Sequence, residues 1–150
     1  MHGIDDFALS VHDDVPPDAA RVVDDGLGAF NASAAPLHEV RGLSCFARDA
    51  SGAVVGGAVG RTWGLCCELQ QLWVVPALRR RGLGARLVTG FEARARARGC
   101  RTFYLETFSF QAPSLYRSLG YEVRLTLRGM APGIEKHVMV REEAGEVAHD

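Results

Sequence analysis

The sequence is short of several things at once. It holds a single lysine, Lys136, and its 17 basic and 18 acidic residues leave a formal net charge of −1. That balance gives no global pull toward nucleic acid or an anionic membrane. No apolar run approaches the roughly 20 residues of a membrane span, and the acidic start at Asp5 and Asp6 does not resemble a signal peptide. The four cysteines, Cys45, Cys66, Cys67 and Cys100, form neither a CxxC pair nor a Cys/His ligand spacing. Cys66 and Cys67 are adjacent, so on a strand they point to opposite faces and suit one metal poorly. Free thiols in a reducing cytoplasm are the expected state, and no metal site is expected. There is no internal repeat. A chain of 150 residues suits one domain that buries roughly 70% of its unfolded surface.

What is present centres on residues 72–99, LWVVPALRRRGLGARLVTGFEARARARG. An apolar run ends at Pro76, the arginines Arg79, Arg80 and Arg81 follow, and Gly82 and Gly84 open an amphipathic segment. Leu83, Leu87, Val88, Phe91 and Ala95 recur at helical steps, while Arg86, Glu92, Arg94, Arg96 and Arg98 fall mostly elsewhere. The pattern is strand, tight loop, helix. The first turn of a helix has backbone N–H groups without internal acceptors and carries partial positive charge, so glycines there make an anion site. A sharp basic turn is the plainer alternative. A Walker loop would need GxxxxGK(S/T), which is absent, and a dinucleotide fingerprint would need a small residue where Leu87 stands.

The spacing Arg79-x-x-Gly82-x-Gly84, after a strand ending in Trp73, Val74 and Val75, resembles the acyl-coenzyme A signature of the GNAT N-acetyltransferase superfamily. A second element agrees: QAPSLYRSLGY is similar to the later family element, with Ala112, Tyr116, Gly120 and Tyr121 at the matching places. The resemblance covers roughly residues 7–141. It implies a small bacterial member, in keeping with the arginine-, alanine- and glycine-rich composition, located in the cytoplasm.

Along the chain, Phe7, Leu9 and Val11 alternate as a first strand would. Asp13, Asp14, Pro16 and Pro17 make a helix opening, and Val22, Val23, Leu27 and Phe30 mark one helix face. Residues 31–36 read as a linker. Residues 43–47 and 54–63 read as a hairpin, and the glycine-rich VVGGAVG suits a central strand that something passes closely. The fourth strand, residues 66–75, slips its alternation at Gln70 and Gln71, which predicts a bulge. Residues 102–106 return as a parallel fifth strand after a helix stop at Gly99, and residues 121–127 and 135–140 are the last two strands. The expected fold is therefore α/β (α+β) of GNAT type: a central, mostly antiparallel mixed sheet of about seven strands, splayed between the fourth and fifth, with helices on both faces. A single domain spans residues 1–141, followed by a polar, frayed tail over residues 142–150.

The resemblance implies acetyl-CoA as cosubstrate and direct transfer of its acetyl group to a primary amine of a small molecule or peptide. Leu72, Trp73, Val74 and Val75 would offer backbone groups to the cofactor arm, with an N–H near Val74 polarising the carbonyl. Arg79, Arg80, Arg81, Gly82, Leu83, Gly84 and Ala85 would cradle its phosphates. Ala112 belongs to the matching second element, and Ser109 stands where many relatives carry an asparagine that contacts the cofactor. Tyr116 is the expected acid: a phenol, with an ordinary pKa near 10 against about 8.5 for a thiol, stays protonated at pH 7 and can supply a departing thiolate. Glu68 is the expected base, sharing a face with Leu72 and Val74 unless a bulge intervenes, with Glu106 and His137 behind it. A non-catalytic acyl-CoA sensor is the main alternative. A nucleic-acid module is disfavoured because the arginine cluster lacks interleaved aromatics. The resemblance also allows a homodimer through the C-terminal strands.

Overall fold

The computed structural model describes residue 3 and residues 6–144, and the chain divides into two compact units, Met1–Leu37 and His38–Asp150. The first unit holds one helix, α1 (Pro17–Ala34). Pro17 stands at its first position, where the missing N–H costs nothing. Pro16 is the N-cap, and no side chain bonds the first turn, so Asp13 and Asp14 of the expected helix opening do not cap it. The helix continues through Asn31 to Ala34 and closes with Ala35 N–H on the Asn31 carbonyl, so most of the expected linker is helical. Small residues such as Ala32 and Ala34 favour helix continuation, and Pro36 bars the next turn. Residues 7–11 form no strand. Alternation of Phe7, Leu9 and Val11 satisfies only the side-chain half of strand formation, and these residues lack the neighbouring strand that would pair their backbone.

The second unit is a sheet of β1 (Arg41–Arg48), β2 (Val54–Trp63), β3 (Cys66–Val74), β4 (Thr102–Phe108), β5 (Glu122–Ala131) and β6 (Ile134–Glu142), in the order β1-β2-β3-β4-β6-β5. The described residues thus form six strands where about seven were expected. Every neighbouring pair is antiparallel except β3 and β4. A parallel pair needs a crossover, which α2 (Leu83–Ala97) supplies. Leu87, Val88, Phe91 and Ala95 of α2 are buried as their spacing predicts, in one core with Ala58, Cys67, Leu69, Phe103, Leu105 and Met139. Full burial of a side chain such as Phe91 contributes about 3 kcal/mol. A short helix, α3 (Pro113–Ser118), adds Tyr116 to that core.

The glycine-rich β2 is explained by close approach from a neighbouring strand. A Cβ at Gly60 would stand 1.9 Å from the Glu68 carbonyl oxygen of β3, where the register shifts. At the other end of the chain, β6 runs to Glu142, Glu143 N–H donates to the Arg101 carbonyl, and the Glu143 carboxylate meets Arg96 at 2.6 Å. The start of the expected tail is therefore anchored, because its acidic side chain finds arginines on α2 and β6. Residues 145–150 lie outside the described residues. His137 is buried in β6 with Nδ1 2.9 Å from the Thr126 hydroxyl of β5, so it holds two strands together rather than facing a cleft.

Candidate active site

The one parallel pair does not stay paired. β3 and β4 match from Cys66↔Thr102 to Leu69↔Leu105 and then separate, although β3 continues to Val74 and β4 to Phe108. The separation begins at a bulge. On β2 the register passes from Gly60↔Leu69 to Val59↔Gln71, leaving Gln70 as the extra residue. A bulge bends its strand and raises its twist, which carries the rest of β3 away from β4. The gap is a cleft of about 770 Å³, lined among others by Leu69, Leu72, Val74, Leu105, Ala112 and Tyr116. This size suits a small-molecule site.

The bulge also decides which backbone groups face the cleft. Val75 N–H donates to the Val55 carbonyl of β2, so Val75 is turned away. Because peptide groups alternate along an antiparallel strand, Trp73 turns toward β2 as well, and the peptide groups of Leu72 and Val74 turn toward the missing β4. Arg79 Nε donates to the Val74 carbonyl at 2.9 Å, and Arg79 lines the cleft. Of the four backbones expected to meet a cofactor arm, those of Leu72 and Val74 turn toward the cleft and those of Trp73 and Val75 turn toward β2.

Between β3 and α2 the loop adopts left-handed backbone twice, at Arg80 (φ 62°) and at the helix N-cap Gly82 (φ 82°). Only glycine takes that conformation without strain, so Arg80 carries a local cost of order 1 kcal/mol. The backbone N–H groups of residues 80–85 donate to no described backbone or side-chain acceptor. Successive free amides of this kind, at a helix start, form an anion-binding concavity. Arg81 is exposed beside them, as is Arg80. Gly84 lies under the neighbouring side chains: a Cβ there would meet Leu115 of α3 at 3.4 Å and Leu72 at 4.0 Å.

Tyr116 is 7% exposed, and its hydroxyl makes no hydrogen bond to another described residue. Since no buried side-chain polar atom among the described residues lacks a partner, that hydroxyl must open on the cleft. Burial pushes its pKa up to about 12. The Gln70 bulge does intervene, and it puts Glu68 on the opposite face from Leu72 and Val74. Glu68 accepts a hydrogen bond from the Tyr104 hydroxyl at 2.6 Å, lies 3.7 Å from Arg61, and lines an adjoining recess. Glu106 lines both that recess and the cleft, and pairs with Lys136 at 2.8 Å. Ser109 does not line the cleft. Its hydroxyl accepts from Glu135 N–H at 3.0 Å and its own N–H donates to the Glu135 carbonyl, tying the turn after β4 to β6.

Residues 12–121 match the model of the Acetyltransferase (GNAT) family. The chain belongs to the GNAT acetyltransferases. Blasticidin-S acetyltransferase of Streptomyces morookaense is 38% identical over 71% of this chain and 82% of its own length. The fold is also that of an acetyltransferase from Bacillus cereus, with a TM-score of 0.75 and 23% identity over 89% of this chain and 97% of that one. An aminoglycoside 6′-N-acetyltransferase crystallised with coenzyme A superposes with a TM-score of 0.62 at 20% identity, over 71% of this chain and 75% of that one. This GNAT protein is thus an acyl-CoA-dependent N-acetyltransferase, and among the described residues no cluster suited to a metal occurs.

Two polar residues, one in the adjoining recess and one at the GNAT cleft, are not marked by the sequence pattern as site residues. Tyr104, which holds Glu68, sits 36 positions away and meets it only through the parallel register Glu68↔Tyr104. Gln111 uses its side-chain oxygen to accept from Phe108 N–H at 2.8 Å and so shapes the turn before α3. A glutamine directly before an alanine–proline helix start is the signal that could have found the second; no local signal marks the first.

Proposed function

We propose that the protein transfers the acetyl group of acetyl-CoA directly to a primary amine of a small molecule. The observation that carries this reading is the run of acceptor-free amides over residues 80–85, beside a cleft into which the Leu72 and Val74 peptide groups and the Tyr116 hydroxyl open. The donor set fits the cosubstrate: amides and the exposed Arg80 and Arg81 for its phosphates, and the cleft-facing peptide groups of Leu72 and Val74 for its amide-bearing arm. Bound there, acetyl-CoA supplies an activated acetyl thioester. Val74 N–H is the hydrogen-bond donor available to a developing oxyanion. Tyr116 holds a proton at its phenolic oxygen and can deliver it to a thiolate, since its raised pKa keeps it neutral across the working range.

We assign the acceptor's proton to Glu106, acting through water, because it is the carboxylate that lines the cleft. Glu68, engaged by Tyr104 and Arg61, would act across the adjoining recess. Ser109 takes no part in this assignment, since its hydroxyl already bonds Glu135. The relative named for blasticidin S favours a small amine as acceptor.

The test is calorimetric titration with acetyl-CoA of the wild type and of a Gly82→Trp, Gly84→Trp variant. Micromolar binding in the wild type and its loss in the variant is the expected result, followed by thiol release on a panel of amines. A folded wild type that binds no acetyl-CoA would sink the proposal, and binding without turnover of any amine would favour a sensor.

A further inference from the structure

The two faces of the sheet carry different chemistry at the cleft. On the face covered by α2, Cβ atoms placed at Gly56 and Gly60 would meet Leu87 and Phe91, and the acceptor-free amides lie at the start of that same helix. On the opposite face, Phe46, Gly57 and Trp73 stand side by side in the registers Phe46↔Gly57 and Gly57↔Trp73. A Cβ at Gly57 would lie 2.7 Å from the Phe46 ring, so the glycine lets that ring rest on the strand backbone. Phe46 and Trp73 remain 50% and 51% exposed, and both line the cleft.

A third ring comes from the turn after β4. Phe110 is 67% exposed, lines the cleft, and stacks on Phe108 with centroids 5.2 Å apart and planes 7° from parallel. Phe108 in turn is held beneath Lys136 Nζ at 5.6 Å, and Lys136 is fixed by Glu106. Phe110 is therefore a positioned ring that leaves much of its surface open. Exposing three large aromatics from three separate segments around one opening is costly in water and marks a contact surface. Gln70 and Gln71 also line the cleft, and their amides bond no other described residue. Arg79 is the one cationic side chain in the described lining, and its Nε is already bonded to Val74. The wall therefore suits a flat apolar surface with hydrogen-bonding edges rather than an anion.

We propose that the acceptor amine carries a flat aromatic or heteroaromatic ring that docks on the wall made by Phe46, Trp73 and Phe110. The proposal rests on the acetyl-transfer reading above and adds the class of acceptor. The ring sits on the face away from the amide-lined loop, with its amine directed through the gap between β3 and β4.

The test compares phenethylamine and tryptamine with cyclohexylethylamine, which matches the first in size but is not flat, by thiol release from acetyl-CoA. The expected result is a kcat/KM for the flat amines about five- to tenfold above the cyclohexyl compound, with Phe110→Ala and Trp73→Ala each reducing that ratio severalfold. Both replaced side chains are exposed, so folding is retained. Equal use of the cyclohexyl amine, or a ratio unchanged in both variants, would overturn the proposal. Should no amine release thiol, fluorescence of Trp73 in a Trp63→Phe background separates the two readings. A saturable change with phenethylamine but not with cyclohexylethylamine keeps the ring site and removes acetyl transfer to the amines it holds; no change removes the ring site.

Discussion

Tyr116 and Tyr121 lie in the same core, five positions apart, with ring centroids 6.0 Å apart and planes at 71°. They are 7% and 3% exposed, and burial is the largest cause raising the pKa of each. Their hydroxyls differ. Tyr121 donates to the buried Glu92 at 2.9 Å, inside a knot in which Arg141 contacts Glu92 at 3.5 Å and Arg96 reaches both Glu92 and Glu143. Tyr116 has no such partner and opens on the cleft. Burial and residue type alone therefore do not separate a tyrosine whose hydroxyl is engaged by the fold from one whose hydroxyl is left free for the proton transfer proposed above. The separating feature is whether the hydroxyl's hydrogen bond is already satisfied by the fold.

The largest expected effect breaks the comparison on the side of chemistry. Tyr116→Phe should lower kcat about a hundredfold in steady-state thiol release while moving acetyl-CoA affinity about twofold or less, and should leave the urea midpoint near the wild-type value. A fall in stability without a fall in rate would reverse the roles of the two tyrosines. Tyr121→Phe should do the opposite. Losing a hydrogen bond to a buried carboxylate costs about 2 kcal/mol, read as a lower urea midpoint, with turnover per folded molecule near the wild-type value.

The smallest effect concerns the rim of the same knot. Arg96, by direct hydrogen bonding, holds the Glu143 carboxyl below its ordinary range. A carboxyl lowered in the folded state contributes stability that is complete above its unfolded pKa, near 4, and disappears as pH falls through its folded value. The stability difference between wild type and Glu143→Gln should accordingly be constant above about pH 5 and shrink toward zero in acid. Because Glu143 is partly solvated, that difference should stay under about 1 kcal/mol. A difference that grows in acid would contradict the pairing.

Several features are legible in the amino-acid sequence alone. The loop over residues 79–84 and the helix after it depend on contiguous residues: glycine at a left-handed N-cap, and apolar side chains returning at helical steps. The bulge is legible too, because the slip in alternation at Gln70 and Gln71 is itself its cause. The expected strand at residues 7–11 fails for lack of a neighbour, which no local pattern reveals. The face of Glu68 turns on that bulge, since one extra residue in a strand turns every following side chain to the other face.

By itself, then, the sequence determined the strand–loop–helix unit, the anion-suited amides at its turn and the family, because these depend on residues within a few positions of one another. Tertiary structure alone decided that β3 and β4 part beyond Leu69 and Leu105, that Tyr116 keeps a free hydroxyl while Tyr121 does not, and that Phe46, Trp73 and Phe110 share one wall. Each of those depends on which distant segments become neighbours. Sheet register and core packing set that, and they are properties of the whole chain rather than of any one stretch of it.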